Sequence, residues 1–111
     1  MPGIKRGYIH CDINCLNIII NKDKKGISGL IDYSNAVYAP LLFELGICMA
    51  YLMMRREDPL VYAKPFLEGY LSIVLLSDVS LSLLYYVILG RLVQSYLNGE
   101  LVWYIGNNMI Q

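Results

Sequence analysis

Phenylalanine, histidine and net charge are what this sequence has least of. Its 111 residues hold two phenylalanines, one tryptophan and one histidine, and nine basic side chains cancel nine acidic ones. With no net charge there is no field-based case for a nucleic-acid partner or an acidic membrane surface. Charged residues are also sparse, at 16%, against 57% apolar ones, which suits one domain with one modest core. Cysteine is scarce and odd in number, three in all, and no apolar leader precedes them. A disulfide framework is therefore not expected, and the reading is a reducing, cytoplasmic compartment. Ten tyrosines stand where phenylalanine is missing. Tyrosine can bury its ring while its hydroxyl finds water or a partner, so half-buried helix faces account for them.

His10, Cys11 and Cys15 lie close together, but no second ligand cluster follows to complete a tetrahedral site, and no structural metal is expected. Two apolar stretches, residues 36–54 and 71–90, approach the roughly 20 residues that span a bilayer. Each carries an interior carboxylate, Glu44 or Asp78, and the first also holds Pro40. A charge at mid-bilayer costs on the order of 3 kcal/mol, so buried helices are preferred over the alternative of two membrane spans.

Along the chain, strand patterns come first. Tyr8 and Ile9 open a short apolar run, and the β-branched run at 17–21 is followed by a polar turn, Lys22 to Gly26, and a third run, Ile27 to Ile31. This predicts a β-hairpin that brings Asp12, Asn17 and Asp32 towards one end. From Pro40 the pattern is helical. A first helix is expected over 41–54 with Arg55 and Arg56 in its last turn, stopped by Asp58-Pro59. A second is expected over 62–75. A third should start at Ser77, an N-cap, and run to about residue 97, with Asn98-Gly99 as its stop. Strands followed by helices, without βαβ alternation, make a mainly helical α+β unit.

The chemistry sits in IHCDINCLNIII, residues 9–20, and GLIDYSNA, residues 29–36. Magnesium takes hard oxygen ligands, usually one or two carboxylates plus substrate phosphates. Asn17 can give an amide oxygen and Asp32 a carboxylate, which leaves Asp12 free to face a hydroxyl nucleophile. Phosphoryl transfer asks chiefly for positioning and charge neutralisation, so Asp12 need not be a strong base.

His10 to Asn17 resembles the HxDxxxxN catalytic loop shared by protein kinases and the aminoglycoside-phosphotransferase family, and Ile31 to Ser34 resembles the metal-binding Asp-Phe-Gly motif. The resemblance implies Asp12 as the catalytic aspartate, Asn17 and Asp32 as magnesium ligands, and His10 as a brace of the loop. Over residues 8 to about 97 the chain is similar to the hydroxylysine-kinase branch of that family: Asn14, the stretch with Phe43, Glu44, Met53 and Met54, and the later FLEGY and LGRLVQSYL carry the likeness. That implies transfer of the γ-phosphate of GTP, or ATP, to the hydroxyl of 5-hydroxy-L-lysine, a small substrate with hydroxyl and amine groups. Asn14, Asn35 and Glu44 are the candidate substrate contacts. Glu44 has an equal claim as a carboxylate paired within the fold.

Departures from the family are visible. Cys11 stands where glycine is usual, Asn35 where an acid is frequent, Tyr33 replaces phenylalanine and Ser34 replaces a more permissive glycine. There is no glycine-rich phosphate loop, strand lysine or hinge, all of which a kinase of this type places before the catalytic loop. The expectation is thus a partial kinase-like domain over residues 1–111, poorly active alone and with apolar surface left bare. Choline, homoserine and aminoglycoside acceptors stay open on a shared scaffold, as does a non-catalytic kinase-like remnant.

Overall fold

A computed structural model of the chain describes residues 3–108. In order, the elements are β1 (Arg6–Ile9), β2 (Ile18–Ile20), β3 (Ile27–Leu30), β4 (Val37–Pro40), α1 (Leu41–Met53), α2 (Pro59–Leu71) and α3 (Asp78–Asn108). This is the expected mainly helical α+β arrangement. The strands form two antiparallel pairs. β1 pairs with β4, setting Ile9 against Val37, and β2 pairs with β3, setting Ile18 against Leu30. The hairpin expected over 17–31 is the second pair. Its turn is closed by the Asn21 amide donating to the Gly26 carbonyl at 2.8 Å, with Lys24 in the left-handed region at φ 61°.

β4 had no counterpart in the sequence reading, which entered the first helix directly from a loop. Val37 to Ala39 is too short a run to show a period of two. It becomes a strand because β1 lies alongside it.

α1 keeps its expected start and ends at Met53, one residue early. Arg55 turns into the left-handed region at φ 60°, so both arginines lie beyond the helix and not in its last turn. Arg56 nevertheless returns, its Nε donating to the Leu52 carbonyl at 2.7 Å, which gives a terminal acceptor the cation it favours. Pro59 does more than stop α1: it is the first residue of α2, where a missing N–H costs nothing. α2 therefore begins three residues before the expected 62 and ends at Leu71. Ser77 caps α3 as expected, its Oγ accepting from the Ser80 amide at 3.2 Å. The expected stop at Asn98-Gly99 is overrun. Neither residue takes a positive φ, and an established helix absorbs one glycine for about 1 kcal/mol.

The core joins Leu42, Leu45 and Met49 of α1 to Ala63 of α2, to Leu76 just before α3 and to Leu84 within it. Leu45 is wholly enclosed, and each such leucine contributes roughly 1.5–3 kcal/mol on burial. α1 is the middle layer, buried over Leu45–Ala50, with the β1–β4 pair and both other helices against it. The β2–β3 hairpin is different. Ile20 and Ile27 are 61% and 65% exposed, so it gains little from burial, and a lone two-stranded hairpin is marginal in water. Among the described residues no helix is long and apolar enough to cross a membrane.

The tightest helix contact is at Gly46, where a Cβ would overlap the Cγ1 of Val87 on α3. Gly46→Ala is expected to lower the unfolding free energy by about 1–3 kcal/mol through overpacking. Gly90→Ala, on an open face of α3 with nothing within 4 Å, should raise it by about 0.5–1 kcal/mol. Urea denaturation of the two variants checks the contrast.

Candidate active site

The loop that leaves β1 turns sharply, because Cys11 sits in the left-handed region at φ 72°. An L side chain there is strained, which is the physical content of cysteine at a place where the related motif has glycine. Glu44, in the first turn of α1, holds the turn. One carboxylate oxygen accepts from the His10 amide at 2.5 Å and the other from the Cys11 amide at 3.1 Å. Both oxygens of Glu44 thus accept from the loop backbone, which gives this residue a supporting position. His10 is buried and spans the site. Its Nδ1 accepts from the Asp12 amide at 3.2 Å and its Nε2 donates to the Ile31 carbonyl at 2.8 Å, which fixes a neutral ring with the proton on Nε2. Its ring also lies 4.8 Å from that of Tyr33.

Asp12 and Asn17 meet directly. The Asn17 side-chain amide donates to the Asp12 carbonyl at 2.9 Å, and the Asn17 carbonyl accepts from the Ile31 amide at 3.0 Å. Residues 10, 12, 17 and 31 therefore form one hydrogen-bonded ring, with Asp32 the next residue along. Asn14 caps the short 3-10 turn Cys15–Asn17, its Oδ1 accepting from the Leu16 amide at 2.9 Å. Its amide nitrogen stands 3.4 Å from Asp12 Oδ1. Asn35 lies apart, in the exposed turn closed by the Ala36 amide on the Tyr33 carbonyl.

Asp32 also takes a left-handed backbone, at φ 60°, and its side chain is fully exposed. Its Oδ1 accepts from the Ser34 hydroxyl at 2.6 Å and the Ser34 amide at 3.3 Å. The hydroxyl, and after it the amide, hold the Asp32 carboxyl below the usual carboxylate range. The three cysteines are free. Burial, reinforced by Glu44, pushes the Cys48 thiol up to about 12, which keeps it protonated and inert. Burial also raises Cys11, against the lowering pull of Arg91.

Two residues escaped the sequence reading. Tyr51 of α1 donates its hydroxyl proton to Asp12 Oδ1 at 2.7 Å, and Arg91 of α3 donates from Nη2 to the same oxygen at 3.0 Å. Arg91 Nη2 also donates to the Tyr51 oxygen at 2.6 Å. A signal for Tyr51 was present, since it follows Glu44 by seven residues and so shares its helix face. Arg91 falls in the LGRLVQSYL segment that carries the family likeness, but nothing there ties it to Asp12, 79 positions away. Its Nε is buried without a hydrogen-bond partner among the described residues, at a cost of about 1–3 kcal/mol.

The donor set suits magnesium. The Asn17 nitrogen is spent on Asp12, so its hard carbonyl oxygen is the end left to a cation. Asp32 brings an ionised carboxylate anchored through one oxygen. Among the described residues no three His, Cys, Asp or Glu cluster as a self-sufficient metal site. An ion here would need phosphate oxygens to complete its shell.

The chain is similar to known proteins. Residues 1–78 match the model of a phosphotransferase enzyme family. A hydroxylysine kinase of Danio rerio is 30% identical over 98 residues, covering 86% of this chain and 28% of that protein. Hydroxylysine kinases of Xenopus laevis and Mus musculus are 30% and 27% identical, each over 78% of this chain and 25% of their own length. The chain spans about a quarter of the length of these curated relatives.

Glu44→Gln puts an amide nitrogen against a backbone donor and is expected to cost about 2 kcal/mol of unfolding free energy in denaturant titration. Ser34→Ala should raise the Asp32 titration towards the ordinary carboxylate range, read from its side-chain carboxyl carbon by NMR. Because the folded value is depressed, the Asp32 contribution to stability is present above its unfolded pKa and lost as pH falls through the folded one. Ser34→Ala should remove that acid-range loss.

Proposed function

The chain belongs to the phosphotransferase enzyme family, and from that premise we propose that it contributes the catalytic loop of a kinase that phosphorylates the hydroxyl of 5-hydroxy-L-lysine from GTP or ATP. The observation that carries this reading is the hydrogen-bonded ring of residues 10, 12, 17 and 31, which ties the main chain of Asp12 to the Asn17 side chain and to the residue before Asp32. The acceptor is suggested by the hydroxylysine kinases among its relatives.

In the proposed reaction the acceptor hydroxyl oxygen attacks the γ-phosphorus. The new O–P bond forms as the bond to the β,γ-bridging oxygen breaks, and the nucleoside diphosphate leaves with that electron pair. Asp12 takes the hydroxyl proton and passes it to solvent. It orients the nucleophile more than it drives deprotonation, since a loose transition state places little demand on base strength. Asn17 and Asp32 would hold Mg2+, whose charge neutralises the β- and γ-phosphate oxygens when bound. His10 and Glu44 keep the loop in shape and stay out of the proton path.

Binding of Mn2+ and GTP, followed by electron paramagnetic resonance of the metal, tests the metal assignment. Asp32→Ala should weaken it by at least about tenfold. Absence of metal-dependent nucleotide binding in the unaltered full-length gene product would sink the reading. In a turnover assay with hydroxylysine, Asp12→Asn is expected to lower kcat by about 10²–10⁴ with Mn2+ binding retained.

A further inference from the structure

We propose that Tyr51 and Arg91 are positioning residues that fix which oxygen of Asp12 meets the acceptor, an inference that rests on the kinase reading above. Their hydrogen bonds both fall on Oδ1, from two different helices, at 2.7 and 3.0 Å. The polarity of the set is determined. Arg91 has no acceptor capacity, so its Nη2 must donate to the Tyr51 oxygen, and the Tyr51 proton is thereby directed to Asp12. The guanidinium carbon also stands 5.3 Å from the centre of the Tyr51 ring. An Asp12 carboxylate held in this way cannot spin freely, and its Oδ2 is the oxygen kept for a hydroxyl proton. A nucleophile aligned by one fixed lone pair loses less orientational entropy on the way to the transition state.

A purely structural ion pair would be a poor use of these groups. The pair is only part buried, with side chains 18% and 20% exposed, and it leaves the Arg91 Nε enclosed and without a partner among the described residues. Buried donors are normally satisfied, so the arrangement asks for a reason other than stability. Arg91 also faces a cleft of about 640 Å3, between the start of β1, α1 and α3, whose walls include Phe43, Ile47, Val87 and Gln94. The same side chain thus touches Asp12 at one end and lines this cleft.

Tyr51→Phe is the informative variant because it keeps the ring and the helix packing and removes one hydroxyl. In the full-length gene product, assayed with Mg2+, GTP and hydroxylysine, kcat is expected to fall about tenfold while the acceptor KM stays within about twofold. The thermal midpoint should stay close to that of the parent. Arg91→Met should show the same kcat loss, and Arg91→Lys should recover part of it by restoring a cationic donor. Unchanged kcat in Tyr51→Phe overturns the inference, whether or not the midpoint moves. So does a matched rise in KM, which would make the pair an acceptor-binding element. If the parent protein itself shows no transfer to hydroxylysine, the kinase reading falls and takes this inference with it. Where transfer is present and Tyr51→Phe is indifferent, only the positioning role is lost.

Discussion

Two successive backbone amides, those of His10 and Cys11, point inward just where β1 ends and can no longer supply partners. A buried N–H left in that state would be costly, and the turn itself is strained by a left-handed cysteine. Glu44 answers both amides with one carboxylate, and because it stands in the first turn of α1 the answer comes from the most enclosed helix of the fold. Once that contact is made, His10 is carried to where its ring bridges the Asp12 amide and the Ile31 carbonyl, and Asn17 can close on the Asp12 carbonyl. The site is therefore built from the loop's own main chain outward. Its side chains are as much structural members as chemical ones.

The molecule divides its stabilisation unevenly. Around α1 the fold rests on apolar burial, with Leu42, Leu45 and Met49 meeting residues of α2 and α3. The β2–β3 hairpin has almost none of that. It is joined to the site by polar links at its open end, the Asn17 carbonyl with the Ile31 amide. Polar links of this kind are individually modest, about 0.5–1.5 kcal/mol each, so the hairpin should open before the helical part does.

What could be read from residues alone follows this division. The hairpin was legible because β-branched runs flank a polar, glycine-ended turn, and α1 because apolar residues recur on nearly all its faces. The loop motif was legible because it is local: His10, Asp12, Asn14 and Asn17 fall within eight positions, and most of their contacts are with one another or with Ile31. β4 was not, since its three-residue run acquires strand geometry only from β1. Helix limits shifted wherever a backbone angle decided them, as at Arg55, or failed to decide them, as at Gly99. Tyr51 and Arg91 belong to a third kind. Their relation to Asp12 depends on how two helices cross, and no window of sequence contains that.

The close approach at Gly46 gives that crossing a further significance. With no side chain on α1 at this point, Val87 of α3 is seated against its backbone like a tooth in a notch. Arg91 follows Val87 by one helical turn, so the notch sets how far along its axis α3 delivers the guanidinium. Sliding by one turn would carry it about 5.4 Å, beyond reach of the carboxylate. The missing methyl of a glycine some distance from the loop thus acts as the gauge that sets the charge balance around Asp12. Positions 46 and 87 are consequently expected to vary together, or not at all, in chains that keep an arginine at 91.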